Sequence, residues 1–114
     1  MKREITISID DRDYVVKYPN VGQFIDMGAR ESSMSRGTGS DMMFSGIPDQ
    51  EEAYVYIKVV CFFETCCPDV IKDLKVKRIT ELDPVDFQKF SKAYSQDILP
   101  WLNEVKEEIQ KING

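Results

Sequence analysis

Apolar and polar residues alternate at the start of the chain. In "REITISIDDRDYVVKYP" Ile5, Ile7 and Ile9 fall on one side of an extended backbone, with Glu4, Thr6 and Ser8 on the other. A period of two is that of a strand buried on one face. The polar knot from Asp10 to Asp13 supplies a tight turn and "YVVKY" a second strand, so the pattern predicts a β-hairpin over residues 1–18. Pro19 and Asn20 break the alternation. Val21, Phe24, Ile25 and Met27 then recur at helical spacing and predict a helix over 21–33.

Serine and glycine crowd the next stretch, "SSMSRGTGSDMMFSGIP", and residues 34–48 read as a flexible loop. Its tip carries Met42, Met43 and Phe44. Apolar side chains on a loop either fold back onto the domain or offer an adaptable contact to a partner. "AYVYIKVVCFFETCC", residues 53–67, is the most apolar segment of the chain. Its β-branched and aromatic content favours a strand, whereas its uninterrupted length before Pro68 favours a helix. Length decides, and an apolar helix is predicted over 49–67. The apolar positions of that helix cover nearly its whole circumference, with Lys58 the main exception, so it must be covered on every side. Either neighbours in the same domain cover it, or Tyr54, Tyr56, Phe62 and Phe63 partly meet another chain.

Residues 68–82 read as an irregular segment or short helix anchored by Val70, Ile71, Leu74, Val76, Ile79 and Leu82. "LDPVDFQKF" opens a helix over 84–95, with Asp83 as N-cap, Pro84 at the first helical position and Asp86 in the first turn. A last, amphipathic helix is predicted over 97–112. Pro100 lies in its first turn, and Ile98, Trp101, Leu102, Val105, Ile109 and Ile112 share one face. The expected fold class is α+β, mostly α: an N-terminal hairpin followed by a small bundle of about four helices, in a single domain.

Charge and candidate chemistry narrow the function. A net charge of −5 and a pI near 4.7 argue against binding nucleic acid over a broad surface, which depends on Lys and Arg meeting phosphates. The chain has no histidine, which removes the commonest general base and metal ligand. Cys61, Cys66 and Cys67 form no Cys-x-x-Cys pair and read as free, buried thiols of a reducing compartment. Asp10, Asp11 and Asp13 lack the spacing of a calcium loop, and Gly37-x-Gly39 lacks the Gly-Lys-Ser/Thr of a phosphate loop. The expectation is a non-enzymatic chain without metal or cofactor. No apolar stretch resembles a secretion signal or a membrane span, so the expected location is the cytoplasm.

Two blocks carry a family resemblance. "KYPNVGQFIDM" and "LKVKRITELDPVDFQKFSKAYSQDILPWLNEV" resemble the small tail assembly chaperones of long-tailed bacteriophages. The resemblance runs from the hairpin through the first helix and again from residue 70 to the end. It implies a protein of the infected bacterial cytoplasm that binds the tape measure protein, keeps it soluble and helps recruit tail tube subunits. A homo-oligomer is compatible with it. The alternatives are a structural virion component, such as a tail or head–tail connector subunit, and a small host-directed regulator. On any of these readings the partner-binding candidates are Met42, Met43, Phe44, Tyr54, Tyr56, Phe62, Phe63 and Trp101.

Overall fold

Strands β1 (Glu4–Ile9) and β2 (Arg12–Lys17) pair antiparallel, with Ile5 opposite Val16 and Ile7 opposite Tyr14. The structure, a computed structural model, describes residues 2–113. Asp10 and Asp11 form the two-residue turn, both left-handed at φ 53° and 63°. Left-handed geometry at both central residues is that of a type I′ turn, whose twist matches the twist of the strands it joins. The predicted alternation is realised: Ile7, Ile9 and Val16 are buried, while Thr6, Ser8 and Val15 are exposed.

The remaining chain is helical, and the fold is α+β, mostly α, as the pattern predicts. Where a single domain is expected, the chain gathers into two compact units. One comprises residues 2–18 with 82–113, and the other residues 19–81. The two ends of the sequence thus share a unit, and the middle forms its own.

In the first unit α5 (Pro84–Ala93) begins as predicted: the Asp83 side chain accepts from the Asp86 N–H at 2.8 Å, and Pro84 stands at the helix start. The expected break between helices 84–95 and 97–112 is corrected. Tyr94–Ile98 forms a π turn that leads without interruption into α6 (Leu99–Asn113). The cause is Pro100, which has no N–H and whose ring collides with the carbonyl four residues back in an α-helix. Widening the preceding turn, seen in the bond from the Leu99 N–H to the Tyr94 carbonyl, relieves that collision without ending the helix. Phe87, Phe90, Tyr94, Ile98, Trp101 and Val105 are buried along the run, and β1 packs against α5. The apolar face expected to reach residue 112 is buried only as far as Val105; Ile109 and Ile112 are exposed.

In the second unit α1 (Val21–Ser35) starts at a capping box. The Asn20 side chain accepts from the Gln23 N–H at 2.8 Å, and the Gln23 side chain accepts from the Asn20 N–H at 2.9 Å. Each satisfies a backbone donor that the helix itself leaves unpaired. The loop expected over 34–48 is also corrected, because it contains a short helix, α2 (Gly39–Met43). Gly39 lies against the Tyr54 ring, where a Cβ would stand 3.2 Å from Cε2. Glycine here permits close packing of α2 on α3 (Pro48–Cys66) rather than mobility. α3 ends before Pro68, which opens α4 (Pro68–Lys72), and a 3-10 turn follows at Ile79–Glu81.

α1 runs antiparallel to α3 through two sulfur contacts: the Cys61 thiol meets Met34 Sδ at 3.7 Å and the Cys66 thiol meets Met27 Sδ at 3.9 Å. Lys58, the one basic residue of α3, pairs with Glu31 at 3.1 Å. Glu64 accepts two bonds from the Arg78 guanidinium, at 2.8 and 3.1 Å, which fastens the segment after α4 to α3. From Ile57 to Phe63 the apolar residues of α3 are all buried, so over these turns the cover that an all-apolar helix requires is present within this chain.

Candidate partner-binding surfaces

The eight residues singled out from the sequence separate into three groups. Phe62 and Phe63 are fully buried, with their rings edge-to-face at 6.0 Å. Trp101 is buried as well: its indole N–H donates to the Lys2 carbonyl at 2.7 Å, and its ring meets Tyr18 edge-on at 5.5 Å. For these three the expectation of partner contact is corrected, since each already has its apolar face covered and, for Trp101, its polar edge satisfied.

Tyr54 and Tyr56 are half-buried. Tyr54 lies against Gly39. The Tyr56 hydroxyl donates to Glu52 at 2.6 Å, a bond that holds the phenol proton and raises its pKa above the ordinary value.

Met42, half-buried, adjoins Met43 and Phe44, which are exposed; Phe44 has 78% of its surface open to solvent. The structure adds two residues that the sequence reading misses. Ile47 and Val55 are each 50% exposed, just before α3 and within its first two turns. Met43, Phe44, Ile47 and Val55 are therefore four exposed apolar residues in the segment that leads into α3 and through its first two turns. Asp41, Asp49, Glu51 and Glu52 accompany them, and no Lys or Arg occurs from residue 37 to 57.

A second apolar group, also absent from the sequence-based candidates, lies on α1, where Val21 is 76% and Ile25 69% exposed beside the partly exposed Phe24. Because Met27 meets Cys66 and Met34 meets Cys61, this group lies toward the C-terminal end of α3, away from the first. Its signature is the stripe Val21, Ile25, Gly28 and Ala29, spaced as one helical face, with the buried Met27 off that stripe.

The chemistry of the remaining polar groups is subdued. Burial pushes the thiols of Cys61 and Cys66 up to about 11 and that of Cys67 to about 12. At neutral pH all three stay protonated and are poor nucleophiles. Among the described residues no group of three or more His, Cys, Asp and Glu side chains is placed to hold a metal ion. Asp10, which forms the hairpin turn with Asp11, also pairs with Lys89. An open depression of about 280 Å³ lies beside the π turn, lined by Thr6, Gln96, Asp97, Pro100, Trp101 and Glu104. It is smaller than the enclosed pockets of about 300–1,000 Å³ that bury small ligands. Among the described residues no helix is long and apolar enough to cross a membrane.

The Asn20–Gln23 capping box, the Asp83 cap and the Pro100–Trp101 pair lie at two helix starts and at the π turn. These are positions that shape backbone rather than perform chemistry. No family model, no curated protein and no solved structure matches this chain.

Proposed function

We propose that this chain is a non-enzymatic assembly chaperone of the phage-tail type, working in the cytoplasm of an infected bacterium. It binds the tape measure protein and assists the assembly of tail tube subunits around it. The observation that carries the reading is the exposure of Met43, Phe44, Ile47 and Val55, four apolar residues within an acidic stretch around the start of α3. Methionine and phenylalanine adapt to irregular apolar clients. A net charge of −5 favours keeping the chain and a bound client in solution. The resemblance of the two sequence blocks supplies the identity of the client.

Co-expression with a tape measure protein from a long-tailed phage genome that encodes this chain tests the proposal. The tape measure protein is expected to stay in the soluble fraction and to copurify with this chain. Replacing Met43 and Phe44 by serine is expected to abolish copurification while leaving the thermal midpoint nearly unchanged, since both side chains are exposed. A tape measure protein that precipitates regardless, or a serine variant that captures it as well as the wild type, would refute the reading. Mass spectrometry of purified virions separates the chaperone, which leaves the particle, from a structural component, which stays.

A further inference from the structure

Among the described residues the outer edge of β2 is unpaired, and its chemistry is defined by the register. The Tyr18 N–H donates to the Arg3 carbonyl at 2.8 Å, and the two-residue turn closes on the Ile9–Arg12 pair. With bonded and non-bonded pairs alternating along an antiparallel ladder, the pairs Ile9–Arg12, Ile7–Tyr14 and Ile5–Val16 exchange the backbone bonds. The intervening pairs, Ser8–Asp13, Thr6–Val15 and Glu4–Lys17, turn their N–H and C=O groups away from each other. On β2 the outward groups belong to Asp13, Val15 and Lys17. All three residues are exposed, Val15 by 62%, and among the described residues β2 pairs with β1 alone.

We propose that β2 pairs antiparallel with β2 of a second copy of this chain, centred on Val15, to form a four-stranded sheet across a two-fold axis. The charge pattern selects this occupant. A two-fold axis at Val15 sets Val15 against its own copy and Asp13 against Lys17 of the other chain, once on each side. This register uses the outward donor and acceptor of all three residues and brings a carboxylate to an ammonium at both ends. Sliding the strands by two residues sets Asp13 against Val15 and carries Lys17 past the end of the partner strand, opposite Asp11, whose left-handed turn backbone does not extend the ladder. Centring on Asp13 or on Lys17 opposes like charges, which destabilises a cross-strand pair. Exposed edges are commonly protected by charge, but here the two charges are opposite and symmetric about a β-branched residue, so the edge attracts its own copy. The inference rests on the hairpin alone and holds whatever the client of the exposed apolar residues is. A contact this short buries less than the about 1,200 Å² of a permanent interface, so the dimer is reversible and forms where copies are concentrated.

The test is light scattering coupled to size exclusion on the full chain, loaded across a range from about 10 μM to 1 mM, which brackets weak association. The wild type is expected to pass from monomer to dimer over this range. Val15→Lys and Val15→Glu each set like charges against each other on the axis, and each is expected to dimerise at least about tenfold more weakly. An equal mixture of the two is expected to recover the dimer, because a lysine then faces a glutamate. A wild type that stays monomeric, single variants that associate as the wild type does, or a mixture that stays monomeric would each overturn the proposal. Circular dichroism of each variant verifies folding. Should either fail to fold, dilution of the wild type followed by amide NMR decides: the amides of Asp13, Val15 and Lys17 are expected to shift with concentration, and their constancy would overturn the proposal.

Discussion

Replacing Arg78 by methionine is expected to destabilise the fold by about 2 kcal/mol. The guanidinium makes two charge-assisted bonds, at 2.8 and 3.1 Å, to a Glu64 side chain that is only 12% exposed. A hydrogen bond to a charged group contributes about 1.5–3 kcal/mol, and a largely buried carboxylate left without its partner loses solvation that water does not restore. Arg78 itself is 55% exposed, so solvent screens the pair and the lower half of that range applies. By contrast Arg30–Asp26, with both side chains well exposed, is expected to contribute under about 0.5 kcal/mol. Urea unfolding followed by far-UV circular dichroism measures the loss, which for a chain of this size corresponds to a thermal midpoint lower by about 5–10 °C. Methionine keeps the apolar stem of the side chain, so the loss reports the guanidinium. The double variant Glu64→Leu/Arg78→Met removes both charges together and is expected to lie within about 1 kcal/mol of wild type. A single variant within about 0.5 kcal/mol of wild type, or a double variant as damaged as the single, would refute the reasoning.

Two further predictions concern buried polar groups. Ser91 lies in α5 with its hydroxyl buried and, among the described residues, without a hydrogen-bond partner; Ser91→Ala removes that cost and favours the helix. It is expected to raise stability by about 0.5–1 kcal/mol in urea titration, and a lower stability would show that the hydroxyl has a partner. Burial holds the thiols of Cys61, Cys66 and Cys67 protonated up to about 11, 11 and 12, against an ordinary thiol value of 9.0. The unfolded chain releases these protons first, so between those values the folded state binds more protons and stability falls as pH rises. The contribution is fully present below about pH 9 and is lost through about pH 11 to 12. Urea midpoints measured across this alkaline interval are expected to fall more steeply for the wild type than for a variant with all three cysteines replaced by alanine. Parallel curves would sink the prediction.

The hairpin, α3 and the start of α5 were legible because each carries its signal locally. Ile5, Ile7 and Ile9 state a period of two, and Asp83 with Pro84 states a helix start. What escaped depends on residues remote in sequence. The all-apolar circumference of α3 announces that cover is needed but not who supplies it, and Phe62 and Phe63 found theirs within the chain. Gly39 in a serine- and glycine-rich stretch reads as freedom, whereas it serves the close approach of α2 to Tyr54. Pro100 reads as the start of a new helix because proline favours a first turn. The buried stripe from Phe87 to Val105 instead keeps the helix continuous, and the strain is relieved by a π turn. The candidate surface was half legible. Met43 and Phe44 stand out in a polar stretch, but the exposure of Ile47, Val55, Val21 and Ile25 follows from packing that no local pattern records.

The bond between the Trp101 indole and the Lys2 carbonyl joins residues 99 positions apart. Protein synthesis delivers those two groups at opposite times. The hairpin leaves the ribosome before every residue of the 19–81 unit, and that unit before α5 and α6. Until then β1, with Ile7 and Ile9, has no α5 to lie beside. Closing so long a loop adds only a slowly growing entropic penalty, so the delay is one of arrival rather than of energy. A ribosome stalled short of Trp101 thus leaves β1 and β2 without their clasp while the whole 19–81 unit is already made.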